Sequence, residues 1–266
     1  MGHIRRAAVA GAFYPSQAEE LDRVIGNFLM DCRQEVRLPR PPKAVIVPHA
    51  GYVYSGAVAA SAYALIRPLH AEINRVVLLG PVHRVPIHGL ALPGGEAFAT
   101  PLGTVPLDVP ACKQLETLPQ VSVNPAAHAL EHSLEVQLPF LQRVLDRFTL
   151  IPLAVGDASP EQVAEVLDQV WGGSETLIVI SSDLSHYLPY PLAQRVDQDT
   201  TQTILELSQQ FGHNQACGAT PIQGLLQATG RHKLRPYLLD LRNSGDTAGD
   251  KERVVGYASF AFCEET

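Results

Sequence analysis

Three short apolar runs in this chain each end in a polar tip, and that repetition constrains the fold more than any other feature. Ala44-Val45-Ile46-Val47 leads into Pro48-His49-Ala50-Gly51, and Arg75-Val76-Val77-Leu78-Leu79 leads into Gly80-Pro81-Val82-His83. Thr176-Leu177-Ile178-Val179-Ile180 leads into Ser181-Ser182-Asp183-Leu184-Ser185-His186. Short β-branched runs bounded by Gly, Pro and Ser read as buried strands. Helical patterns lie between them, so the chain is expected to be an α/β protein: a single domain with a central, largely parallel sheet flanked by helices. In open α/β sheets, ligands bind beyond the carboxyl ends of the strands, where the loops converge. His49 and His83 would then meet Asp183 and His186 there, the two histidines coming from adjacent strand ends.

Composition narrows the class of partner. The chain has 266 residues, 46% of them apolar, enough for one large core, and no internal boundary divides residues 1–266. A formal net charge of −7 argues against nucleic acid or an anionic membrane as the main partner, because both select basic surfaces. No apolar run approaches the ~20 residues of a bilayer span. Arg5-Arg6 before Ala7–Phe13 faintly resembles a secretion signal, but Tyr14-Pro15-Ser16-Gln17 cuts it short, so a first strand is expected there and a cytoplasmic location for the protein. Cys32, Cys112, Cys217 and Cys263 form no CxxC pair, which fits a reducing compartment.

Along the chain, Ser16-Gln17-Ala18-Glu19 has the spacing of a capping box opening a helix over 16–33. Ser55 is a candidate cap for the small-residue helix that follows His49. The Gly- and Pro-rich stretch from His88 to Leu107 reads as strands and turns forming a flap near the site. Residues 128–145 read as a helix with His128, His132 and Glu135 on one face. Ser159-Pro160-Glu161-Gln162 starts another helix, further helices cover roughly 193–211 and open at Thr220, and the strands Lys233–Asn243 and Arg253–Phe262 bracket the 244–250 loop.

Two histidines and a carboxylate on one side of a metal, with open positions opposite, is the arrangement of non-haem iron oxygenases. His49 and His83 supply the imidazoles, with Asp183, Glu135 and Asp246 as candidate carboxylates. His186, Asp183 and His132 are candidate acid/base groups. Tyr52 and Tyr54, with Glu135, are candidate pocket-lining residues for an aromatic or phosphorylated ligand. Cys217-Gly218-Ala219-Thr220-Pro221 reads as a turn and helix start. No dinucleotide fingerprint, phosphate loop or nucleophile elbow is present.

Several of these segments carry a family likeness. Gly11-Ala12-Phe13-Tyr14-Pro15, Val47-Pro48-His49-Ala50-Gly51-Tyr52, Gly80-Pro81-Val82-His83, Glu131-His132-Ser133-Leu134-Glu135-Val136-Gln137-Leu138-Pro139-Phe140, Ser181-Ser182-Asp183-Leu184-Ser185-His186-Tyr187 and Asn243-Ser244-Gly245-Asp246 resemble, in order, the motifs of the Memo-like proteins. In prokaryotes these are known as protein B of the AmmeMemoRadiSam system. The resemblance implies a fold similar to the class III extradiol dioxygenases and the chemistry of a non-haem metal-dependent oxidoreductase. Position by position, it implies His49 and His83 as metal ligands and His186 as the acid/base group. Asp246 falls near the third ligand position, where animal members have a cysteine. A carboxylate there favours a single Fe(II), with Zn or Cu as the softer choices. The alternative it implies is a non-catalytic module that binds a phosphotyrosine-like ligand or peptide in the same pocket. The implied functional partners are radical-SAM and AMMECR-type proteins.

Overall fold

The computed structural model describes residues 3–32 and 36–265. Arg33, the predicted end of the first helix, lies outside them. The chain begins with strand β1 (Ile4–Arg5), helix α1 (Ala18–Asp31), β2 (Ala44–Val47), α2 (Tyr52–Ile66) and β3 (Arg75–Pro81). Short strands β4 (Leu90–Leu92), β5 (Ala97–Thr100) and β6 (Gly103–Pro106) precede α3 (Val109–Leu115), β7 (Val121–Val123), α4 (Pro125–Ala129) and α5 (Leu138–Val144). Then come β8 (Thr149–Val155), α6 (Pro160–Gln169), β9 (Thr176–Ser181), β10 (His186–Leu188), α7 (Tyr190–Leu205) and α8 (Ala219–His232). The chain closes with β11 (Leu234–Asn243), the single turn α9 (Ser244–Thr247) and β12 (Val254–Glu264).

Nine strands form the main sheet in the order β10-β12-β2-β9-β3-β8-β4-β7, with β11 also paired to β12. The four central strands β2, β9, β3 and β8 are mutually parallel, as the strand–helix alternation predicts. Antiparallel pairings enter outside them, β12 on β2 and β4 on β8. Along the central strands, alternate residues face opposite layers. Val45, Val47, Val76, Leu78, Leu177 and Val179 pack in one core cluster with residues of α1, α2 and α5, while Ile46, Val77, Leu79, Ile178 and Ile180 pack in the other with residues of α6 and α8. Burial on both faces explains why these strands read as continuous apolar runs rather than alternating ones. Each such side chain contributes roughly 1.5–3 kcal/mol on burial. Helices α1 and α2 pack closely because position 56 is glycine: a Cβ there would lie 2.5 Å from the Phe28 ring.

Several local expectations are corrected. The first strand is Ile4–Arg5 rather than within 7–13. The box at Ser16 does not form, since Gln17 is the N-cap and makes no side-chain bond. Ser55 does not cap α2, which starts at Tyr52; its hydroxyl instead donates back to Ala50 O at 2.9 Å. The box at Ser159 and Gln162 does form. The 88–107 stretch does form strands and turns, but no flap: β4 joins the main sheet, while β5 pairs with β1 on one side and β6 on the other in a second, three-stranded sheet. No helix among the described residues is long and apolar enough to cross a membrane.

The largest departure is the predicted helix over 128–145, which breaks. Helix α4 ends at Ala129, a single 3-10 turn covers Glu135–Gln137, and α5 begins at Leu138. Inside the break the Glu131 carboxylate accepts from the backbone N–H groups of His132 and Ser133 at 2.9 and 3.0 Å. Those donors are satisfied by a side chain, so the backbone there does not need helical bonds. His128, His132 and Glu135 therefore share no face.

Candidate metal centre

His49 and His83 lie two residues past the carboxyl ends of β2 and β3, but these strands are not neighbours. β9 runs between them, in register with both through Val47↔Ser181 and Leu79↔Ile180. At the tip of β9, the Ser181 hydroxyl is 2.9 Å from His49 Nδ1. The rings of His49 and His83 stand 5.3 Å apart, nearly perpendicular. The third ring is His132, delivered by the broken segment between α4 and α5, 5.3 Å from His49 and 4.6 Å from His83. One nitrogen from each of the three lies within 4.8 Å of the other two. Glycine at position 80 permits this approach, because a Cβ there would sit 2.9 Å from Ser133 Oγ.

The cluster is buried at His49 and partly exposed at His132 and His83. His49 is buried at 1% exposure, whereas the side chains of His132 and His83 are 17% and 29% exposed. Burial, with the nearby His132 and His83 rings, holds His49 well below the usual histidine range. Burial also takes His132 down to about 4, against the opposing pull of Glu131. Both are therefore neutral near pH 7 and keep a lone pair for a metal.

Glu131 orients two of the three histidines. It accepts from His83 N–H at 2.5 Å and His83 Nδ1–H at 2.8 Å, and lies 3.3 Å from His132 Nδ1. Burial alone would raise its pKa, but the hydrogen bonds from His83 and Ser133 outweigh that and hold it at about 2. A carboxylate on Nδ1 fixes the ring and leaves the Nε2 lone pair of His83 available to a metal.

Asp183 and His186 stand beside the cluster rather than in it. The Asp183 carboxylate accepts from His49 N–H at 2.7 Å, and its burial raises it to about 7 despite that bond. His186 Nδ1 donates to Leu184 O at 2.8 Å. Burial lowers His186, partly offset by the Leu184 bond and reinforced by the nearby His83.

Cys217 is the residue that sequence reasoning missed. Its sulfur is 3.3 Å from His49 Nε2 and accepts from Asp183 N–H at 3.3 Å. Burial first, then the nearby Asp183, pushes the thiol up to about 12. It does precede a helix start, as read, but no local pattern links it to a histidine 168 positions away.

Other candidates are committed elsewhere. Asp246 does not join the cluster, whose third side chain is His132. Asp246 is exposed on α9, where it accepts from Asn243 N–H at 3.0 Å, closing a capping box, and from Tyr190 OH at 2.5 Å. Glu135 lines no ligand pocket: it is wholly buried and pairs with Arg5. Tyr52 is also buried and donates to Val136 O at 2.7 Å, whereas Tyr54 is 39% exposed. His128 is buried, bonded to Ala91 O through Nε2 at 2.8 Å.

Comparison with known proteins agrees with this architecture along nearly the whole chain. The family model described as Memo-like protein matches residues 5–261. A MEMO1 family protein of Aquifex aeolicus is 38% identical, over 97% of this chain and 99% of its own. MEMO1 family proteins of Metallosphaera sedula and Sulfurisphaera tokodaii are 32% and 33% identical, over 98% and 97% of this chain and 99% of each relative.

Proposed function

The chain belongs to the Memo-like family, and we propose that it is a metal-binding member, holding one divalent ion between His49, His83 and His132 with the Cys217 thiol as a further donor. The observation that carries this reading is the convergence of three imidazole nitrogens within 4.8 Å, two of them on rings kept neutral by burial. Because the third donor is an imidazole rather than Asp246, with a sulfur alongside, the donor set favours zinc or copper over the Fe(II) that a carboxylate would select.

A bound ion would supply Lewis acidity and, if copper or iron, a redox-active centre. The residues around it then have separable tasks in an oxidoreductase. Asp183 holds the His49 backbone, Glu131 holds His83, and His186, its Nδ1 spent on Leu184 O and its charged form disfavoured by burial, would use Nε2 to take a proton from a ligand entering at the His83 side. A second reading, a module that binds an aromatic or anionic group without turnover, is favoured by the exposed Tyr54 and Tyr187 (39% and 61%). Radical-SAM and AMMECR-type partners and a cytoplasmic setting belong to the proposal through family membership alone.

The test is calorimetric titration of chelator-stripped protein with zinc and, without oxygen, Fe(II). One ion per chain is expected, and His49→Ala should weaken it by more than the roughly 10–100-fold that loss of a ligand's supporting partner costs. Equal binding by wild type and His49→Ala would refute the assignment. Turnover that vanishes with the metal would separate the oxidoreductase from the binding module.

A further inference from the structure

His49 has two ring nitrogens with different neighbours, Ser181 Oγ at Nδ1 and Cys217 Sγ at Nε2. We infer that Gln137 and Ser181 are positioning residues that hold His49 as its Nδ1–H tautomer, leaving the Nε2 lone pair toward Cys217 as the ligand atom. Its consequence for metal affinity rests on the metal centre proposed above.

The proton positions follow from groups that can only accept. The side-chain nitrogen of Gln137 lies 2.9 Å from Pro48 O. A carbonyl cannot donate, so the amide must present its NH2 there, and a flipped amide would set two oxygens against each other. Tyr63 OH at 3.0 Å then donates to Gln137 Oε1. The same NH2 reaches Ser181 Oγ at 2.8 Å, so that hydroxyl accepts from Gln137. Ser181 Oγ also lies 2.6 Å from Ser133 O, another pure acceptor. The single hydroxyl proton must lie on that line, for otherwise two bare oxygens would face each other in a dry site. Ser181 has no proton left for His49, so His49 Nδ1, at 2.9 Å, must be the donor. His49 is 1% exposed, and Tyr63, Ser133, Gln137 and Ser181 are wholly buried, so these direct contacts are shielded from bulk water.

Ser181 thus does for His49 what Glu131 does for His83, with a neutral oxygen in place of a charged one. Neither Gln137 nor Ser181 need touch the ion; they act through the ring. Such supporting partners typically change metal affinity by about 10–100-fold.

The experiment is a two-bond nitrogen–proton correlation on ring-labelled, metal-free protein, followed by zinc titration. Wild-type His49 should show a protonated Nδ1 and an unprotonated Nε2. In Ser181→Ala the preference should fall toward a mixture and zinc affinity should drop about 10–100-fold, with Ser181→Thr restoring both. A wild-type spectrum showing Nε2–H, or a rapid mixture, would overturn the assignment whether or not the variants fold. An unchanged zinc affinity in a folded Ser181→Ala protein would overturn the positioning role. Zinc failing to bind the wild type would remove the metal centre and that role with it, while the spectrum would still judge the tautomer.

Discussion

Glu131 and Glu135 lie one helical turn apart in sequence, and both are buried, at 2% and 0% exposure. Their surroundings have little else in common. Glu135 meets a permanent cation: it pairs with the Arg5 guanidinium and accepts from Ala8 N at 2.8 Å, Val9 N at 3.0 Å and Tyr14 OH at 2.5 Å. It ties the N-terminal segment to the body of the protein. Glu131 meets His83 and His132 and the backbone that carries them. A buried carboxylate facing a guanidinium is an anchor, whereas one facing imidazoles sets their orientation and basicity. The contrast teaches that burial does not mark function here; the partner does.

The largest effect expected from this contrast is on stability. Glu135→Ala leaves Arg5 buried without its counter-charge and should cost about 3–5 kcal/mol in denaturant unfolding. A loss below about 1 kcal/mol would mean that Glu135 is not an anchor. Glu131→Gln should act the other way round, lowering zinc affinity about 10–100-fold while the protein stays folded. If calorimetry finds zinc binding intact in that variant, the two carboxylates do not differ as described.

Acid should separate Glu131 from its neutral replacement. Its pKa falls from 4.5 to about 2 on folding, so its contribution is complete above the unfolded value and is lost as pH drops through the folded one. That is about 3 kcal/mol, absent from Glu131→Gln, whose stability should change less between pH 5 and 2. Equal acid sensitivity of the two proteins would contradict it.

The smallest effect is expected at Asp246. Asp246→Ala removes a capping bond and should cost about 1 kcal/mol, with zinc affinity unchanged. A large fall in affinity there would return Asp246 to the metal centre.

Much of the architecture was legible because the central strands bury both faces and so spell themselves as apolar runs. His49 and His83 followed from the polar tips of those runs. The interrupted helix was not legible, since helical spacing in 128–145 was real but Glu131 captured the backbone donors that a helix would have used. That break frees His132 for the cluster. Asp246 was misplaced because a polar loop between two strands carries no sign of where its side chains are spent. Cys217 was hidden for a related reason: the start of α8 reaches His49 only through the tertiary fold.

X-ray absorption on the zinc-loaded protein tests the central claim most directly, because it reads the atoms around the ion. Imidazole nitrogens at about 2.0–2.1 Å with one sulfur near 2.3 Å are expected, the sulfur disappearing in Cys217→Ser. A shell of oxygen ligands alone, without the outer scattering of imidazole rings, would contradict the account.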